Sequence, residues 1–412
     1  MDHYDQLYRL YADFDTGRLR DYQEFVSLVP PLDSAVALEL WEQANDELED
    51  RKRAIRDAFE AGDVYAELAA RVTRDQAFTA LDLATKHGRP VSVLVLDVDE
   101  TLRSAGGTDN EIPRGTLHAL TEFHEAGVPI VICTGQTLEN VKGFAIQGLG
   151  SRIIHSGSVS IVYEAGSGVF TPGHGPETKQ LLYTELDETI RGVFEAVRAG
   201  ALSEAPPAIR DELHLQGNEF NVTLKPNYPI GSREAARVID RALEHLLDLL
   251  GTTLAGRVGL EETTAVDQTV AHYARVDPEI AAVVDPVTVE SFDPDLVATL
   301  ERIDVAYYEA DGAEVGSREL TKEVGVERAL SVLGLEDPFA LVMGDSKSDR
   351  RVMEWVAERN AGIAAAPTHA SPDVRTHVEA TDELLFEPGQ SEDVLRTVQA
   401  MNLLAGEGRA VV

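Results

Sequence analysis

Asp97 and Asp99 stand two residues apart in Asp97-Val98-Asp99-Glu100-Thr101, directly after the apolar run Val91-Ser92-Val93-Leu94-Val95-Leu96. A carboxylate pair at the tip of a buried strand is costly to desolvate and adds little to a core. It suits phosphoryl transfer, where one group attacks phosphorus and another handles a proton. Three further pieces follow in the order such a site needs: Thr134-Gly135 after a second apolar run, Lys322, and Gly344-Asp345-Ser346-Lys347-Ser348-Asp349 after a third. A single strand-end Asp is most often a helix cap or turn residue. Three strand ends supplying complementary groups point instead to one shared site.

For that chemistry Asp97 is the expected nucleophile, forming an aspartyl-phosphate. Asp99 is the expected acid for the departing oxygen and then the base for the hydrolytic water. A hard cation, Mg²⁺, is expected on Asp97, Asp345, Asp349 and the backbone carbonyl of Asp99. Thr134 and Gly135 offer a hydroxyl and backbone N–H groups to the transferring oxygens, and Lys322 adds positive charge. The plain alternative for Lys322 is a solvated helix-start lysine, but the whole chain has only seven lysines. The histidines show no zinc-ligand spacing, and the single cysteine, Cys133, fits strand packing.

The elements that must position these groups alternate. Val91 to Leu96, Val128 to Cys133 and Ala340 to Met343 read as continuous apolar strands, with Arg152-Ile153-Ile154-His155 as a further candidate. Helices separate them, one from about Pro113 to Ala126 and others after Lys322 and Asp345. Continuous apolar strands between helices imply a doubly wound, Rossmann-like α/β parallel sheet covered on both faces. In such sheets ligands bind beyond the carboxyl ends of the strands. Between 160 and 310 the pattern changes: Asn218 to Leu224 alternates like a half-exposed strand, and Ser232 to Leu250 reads as a long amphipathic helix. The chain therefore divides into a helical extension (1–87), a first core part (88–159), an inserted α+β cap (160–310) and a second core part (311–412). In the extension, Leu7, Leu10, Tyr11 and Phe14 share one helical face and Val36, Leu40, Ala44 and Leu48 another. Pro30-Pro31 breaks it, and Asp33 or Ser34 can cap the following helix.

Taken together, Asp-x-Asp-x-Thr, a strand-end Thr, a Lys and Gly-Asp-Ser-x-x-Asp in that order resemble the haloacid dehalogenase-like (HAD) hydrolase superfamily. The resemblance spans about 88–160 and 310–390. Ser156-Gly157-Ser158, Gly344 to Asp349 and His369 to Val374 look most like its Cof-type, sugar-phosphatase branch, whose cap falls between the Thr and Lys motifs. It implies a Mg²⁺-dependent phosphatase acting on a small phosphorylated metabolite of the sugar-phosphate kind. A phosphomutase of the phosphomannomutase kind and a noncatalytic HAD-like scaffold are the alternatives. Glu100 stands where the family usually has Gly, Gln136 where many members have Arg, and His369 where the branch usually has Asn. In the cap, Lys225 is the candidate contact for the leaving group; Arg318 and His174 attract attention on weaker grounds.

Composition speaks to setting. Acidic residues number 72 against 36 basic ones, for a net charge of −36. Acids spread through amphipathic segments look like adaptation to molar salt, where screening acts within about 3 Å. Nucleic-acid binding needs a basic patch and is disfavoured. No apolar run approaches the roughly 20 residues of a membrane span. An acidic first segment and a lone cysteine suggest a reducing cytoplasm. The helical extension carries no chemical signature; its apolar stripes suggest docking on the core or a homo-oligomer contact.

Overall fold

The structure is a computed structural model describing residues 3–28, 34–103 and 111–407. The Pro30-Pro31 break and Asp33 lie outside the described residues. An eight-stranded sheet organises the core. Its strands are β1 (Val93–Leu96), β2 (Ile130–Cys133), β3 (Val159–Tyr163), β4 (Gly168–Phe170), β5 (Lys179–Leu181), and, far along the chain, Ala340–Met343, Gly362–Pro367 and Leu384–Phe386. Between the two groups lie β6 (Leu213–Leu215), β7 (Val222–Pro226), β8 (Ile303–Tyr308) and β9 (Gly312–Ser317), so the last three core strands are β10, β11 and β12. The core order is β12-β11-β10-β1-β2-β3-β4-β5. Pairing is parallel from β12 to β3 and antiparallel for β4 and β5. β1, β2 and β10 are buried at every position, as their unbroken apolar runs require.

From β1 the chain winds outward to β2 and β3, then returns on the other side through β10, β11 and β12. The direction of winding reverses between β1 and β10, where a doubly wound sheet opens a crevice.

Two sequence expectations shift here. Arg152 to His155 is not a strand: Ser151–Ile154 is a short helix after Gly150, which has φ 83°, and Ile153 and Ile154 bury from it. A two-residue apolar pair suits either element, and only the five buried residues of β3 could pair along β2. Ser156-Gly157-Ser158 therefore precedes β3, where the Ser158 carbonyl accepts from Ile130 N, at the edge away from the carboxyl ends. The cap boundaries move too. β3 to β5 continue the core sheet to Leu181, past 160, and β9 belongs to the inserted unit, past 310.

The inserted unit is an antiparallel sheet, β6-β7-β9-β8. Val222, Leu224, Ala313 and Val315 are fully buried on one face, in one cluster with Val238, Leu243 and Leu246 of the helix Arg233–Val258. Ser232 caps that helix by accepting from Ala235 N. The intervening side chains Thr223, Lys225 and Glu314 make the other face of this sheet polar, with the Thr223 hydroxyl donating to Glu314 and the Lys225 ammonium to Asp311.

The described residues before β1 form five helices, and the last, Arg74–His87, starts in a Thr73–Gln76 capping box and ends at Gly88 with φ 65°. Leu7, Leu10, Ile55 and Tyr65 join one hydrophobic cluster with Leu94, Leu96 and Ile130 of the sheet and Leu395 and Met401 of the helix Ser391–Glu407. The extension is thus a layer of the core. Of the second predicted stripe only Leu48 is buried, while Val36 and Leu40 stay exposed.

Candidate active site

Asp97 is the first residue after β1, and its N–H donates to the Met343 carbonyl at the end of β10. Its side chain is buried against Lys322 and Asp349, which arrive on two helices. Thr321 caps the helix Lys322–Val332 by accepting from Val324 N, fixing Lys322 as its first residue. Lys322 Nζ donates to Asp97 Oδ1 at 2.7 Å and to Asp349 Oδ1 at 2.6 Å. Asp349 lies in the first turn of Lys347–Glu358, where its other oxygen accepts from Ser346 N and Ser346 Oγ in a capping box. One carboxylate thus caps a helix and holds the ammonium together. Gly344 makes room for it, because a Cβ there would lie 2.3 Å from the Asp349 Cβ.

Asp345 completes the group: single carboxylate oxygens of Asp97, Asp345 and Asp349 lie within 4.8 Å of one another. Burial pushes the Asp345 carboxyl up to about 6, with Asp349 adding to the rise and Lys322 opposing it. Burial also raises Asp97 well above its ordinary value against the pull of Lys322. At Lys322 burial disfavours the charge, but Asp349 and Asp97 outweigh it and keep the ammonium protonated. Three carboxylates around one ammonium leave negative charge uncompensated in a low-dielectric pocket. Such an all-oxygen set fits a hard divalent cation such as Mg²⁺. The Asp99 carboxyl is outside this set, so among the expected ligands only its backbone carbonyl remains available.

Asp99 takes another role in the geometry. Its two oxygens accept from Gln136 Nε2 and from the Arg103 guanidinium. Glu100, next in the turn, has φ 61°, which explains why a glycine would be natural there. Its Oε2 lies 3.6 Å from His369 Nε2.

Thr134 follows β2, one strand from Asp97, and is buried. Its N–H donates to the Val162 carbonyl, its carbonyl accepts from Ala165 N, and its hydroxyl accepts from Gln136 N at 3.2 Å. Gly135 is exposed at the turn beside it. Cys133 is fully enclosed, and burial pushes its thiol up, as packing requires.

The remaining candidates come from other elements. Lys225 sits on the polar face of the cap sheet and donates to Asp311 Oδ2 at 2.8 Å. Arg318 pairs with Asp304. His174 Nε2 meets the Gly157 carbonyl at 2.9 Å, on the edge away from the carboxyl ends. Sequence reasoning assigned no role to Arg103, Gln136 or Glu164. Glu164 is buried directly after β3, and its carboxylate accepts from the N–H groups of Glu219 and Phe220, tying the core to the cap. Burial raises its carboxyl, while those two backbone donors lower it.

Residues 94–158 match the family model described as haloacid dehalogenase-like hydrolase. That stretch runs from β1 to the threshold of β3 and includes Asp97, Asp99 and Thr134, so the sequence resemblance holds over the first half of the site. No curated protein matches. Among solved structures, the chain is similar to a haloacid dehalogenase-like hydrolase from Bacteroides thetaiotaomicron, at 13% identity and TM-score 0.42, covering 75% of this chain and 98% of that one. It is also similar to a haloacid dehalogenase-like hydrolase from B. subtilis, at 14% identity and TM-score 0.42, covering 75% and 99%. For a trehalose-6-phosphate phosphatase from Aspergillus fumigatus the values are 12% and 0.43, covering 79% and 97%. Among the described residues, no helix is long and apolar enough to cross a membrane.

Proposed function

We propose that this chain is a phosphatase that hydrolyses a small organic phosphate monoester through an aspartyl-phosphate on Asp97. The observation that carries the reading is the buried convergence of Lys322 Nζ on Asp97 and Asp349, with Asp345 alongside. A scaffold without chemistry would gain nothing from crowding three carboxylates, two of them buried, around one ammonium, since charge left uncompensated there is destabilising.

In the first half-reaction an Asp97 oxygen bonds to phosphorus as the bond to the leaving oxygen breaks, and Asp99 gives that oxygen its proton. In the second, Asp99 takes a proton from water, the water oxygen bonds to phosphorus, and the bond to Asp97 breaks. Phosphate leaves and both carboxyl groups return to their starting state. Lys322 keeps the Asp97 carboxylate aimed and offsets charge that gathers on the transferring group. Thr134 and the backbone at Gly135 would receive the phosphoryl oxygens. Asp97, Asp345, Asp349 and the Asp99 carbonyl would hold a Mg²⁺ ion, which when bound supplies charge neutralisation. The cap, held to the core through Glu164, would exclude water and select the leaving group with the polar face that carries Thr223, Lys225 and Glu314.

Purified protein should release 4-nitrophenolate from 4-nitrophenyl phosphate with Mg²⁺ in molar KCl. Asp97→Asn should lower turnover by at least about 10³-fold, as expected when a covalent nucleophile is lost. Equal turnover by both proteins would overturn the assignment.

A further inference from the structure

Asp99 sits on a short turn, and a carboxyl that must hand a proton to one specific oxygen cannot be left to sample its rotamers. We propose that Gln136 and Arg103 are positioning residues that fix the Asp99 carboxyl for proton transfer, an inference that rests on the phosphatase reading above. Gln136 Nε2 donates to Asp99 Oδ2, and Arg103 Nη2 donates to Asp99 Oδ1. One donor on each oxygen fixes the plane of the carboxyl, whereas a single contact would leave it free to turn about the bonded oxygen. Each oxygen keeps a second lone-pair direction, so the group can still give and take the proton.

Both donors are themselves held. Gln136 N donates to Thr134 Oγ1 at 3.2 Å, and the Gln136 carbonyl accepts from Glu164 N at 2.9 Å. Its backbone is therefore pinned between the exits of β2 and β3. Arg103 N donates to the Val98 carbonyl at 2.9 Å, closing the turn that carries Asp99, and its side chain is only 11% exposed. Gln136 thereby ties the acid to the exit of β2, the strand end that also carries Thr134. Both residues act through Asp99, moving the proton that leaves with the departing oxygen in the first step.

The test is kcat/KM across aryl phosphates from 4-nitrophenyl to 4-methoxyphenyl. That parameter ends at the first irreversible step, so dephosphorylation of Asp97 does not enter. A 4-nitrophenolate leaves without a proton, and the 4-methoxy compound needs one. Gln136→Leu and Arg103→Met should each lower kcat/KM for the 4-methoxy ester about 10-fold more than for the 4-nitro ester, within the usual reach of general acid catalysis. Gln136→Asn, whose shorter amide cannot span the gap, should behave as Gln136→Leu, while Arg103→Lys should recover part of the loss. In an Asp99→Asn background, Gln136→Leu should cost nothing further. An equal fall on every ester would mark a merely structural role, and no fall would mark none; either overturns the proposal. If Arg103→Met does not fold, Gln136→Leu at its half-buried site carries the test alone. Activity that survives Asp97→Asn would instead bring down the phosphatase reading, a separate outcome.

Discussion

Asp345 is where the electrostatics of the site can be read directly. Its carboxyl, ordinarily near 3.8, is pushed up to about 6 by burial, then by Asp349, with Glu100 contributing further. The folded chain therefore binds that proton more tightly than the unfolded chain does. Stability contributed by the protonated group is complete below the unfolded value and lost as pH rises through about 6. In metal-free buffer, the stability lost between pH 4 and 7 in urea unfolding should be greater for the wild-type chain than for Asp345→Asn by on the order of 2–3 kcal/mol, the remainder coming from other raised carboxyls such as Asp97 and Glu164. Saturating Mg²⁺ should reverse the trend, because the cation prefers the ionised carboxylate. Matching pH slopes for the two proteins would contradict the charge crowding described. The carboxylates and Lys322 were legible in sequence because spacing after apolar runs announces strand ends. Gln136 and Arg103 were not, since their role exists only through contact with Asp99. Lys225 is legible as a strand-end lysine, whereas its pairing with Asp311 shows only in the fold.

At the scale of elements, the segment after β3 is the critical junction. Glu164, Ala165 and Gly166 take φ of 48°, 53° and 109° in succession. Two non-glycine residues in the left-handed region cost about 1–2 kcal/mol each. The bend brings Glu164 to the cap backbone and Gly166 against Thr321, the residue that caps the helix of Lys322. A Cβ at Gly166 would lie 2.1 Å from the Thr321 carbonyl oxygen. Gly166→Ala should therefore destabilise by roughly 2–4 kcal/mol and lower activity by shifting Lys322. Gly143→Ala, in the helix Leu138–Leu149 with open space around it, should be neutral or stabilising by up to about 1 kcal/mol. Thermal melts and turnover of the two variants check this; similar behaviour would remove the argument for a tight junction. No sequence pattern announced this bend, because Glu-Ala-Gly carries none of the usual turn signals except its glycine. The same limit explains Arg152 to His155: an apolar pair inside a short segment does not distinguish helix from strand, whereas the longer runs of β1, β2 and β10 do.

For the whole molecule, the question is what a net charge of −36 does to a fold that is otherwise held by burial. The helical extension is not an appendage that could carry the charge away from the core, since Leu7, Ile55 and Tyr65 share a hydrophobic cluster with the sheet. Arginines offset part of the acid locally, as in the contacts of Arg71 with Glu67 and Glu122 and of Arg328 with Glu185. Where such pairs are open to solvent they contribute only about 0–1 kcal/mol each, and salt weakens them. Against them stands self-repulsion among the unpaired acids, which long-range coupling makes collective and which shrinks as the Debye length falls from about 10 Å at 0.1 M to about 3 Å at 1 M. The repulsive sum should dominate because acidic residues outnumber basic ones 72 to 36, so most local pairing still leaves half the acids without a cation. Raising KCl from 0.1 to 2 M should therefore raise the midpoint of thermal unfolding, with most of the gain below about 1 M, where the screening length changes fastest. A midpoint that stays flat or falls with added KCl would mean that the ion pairs, and not the excess charge, govern stability.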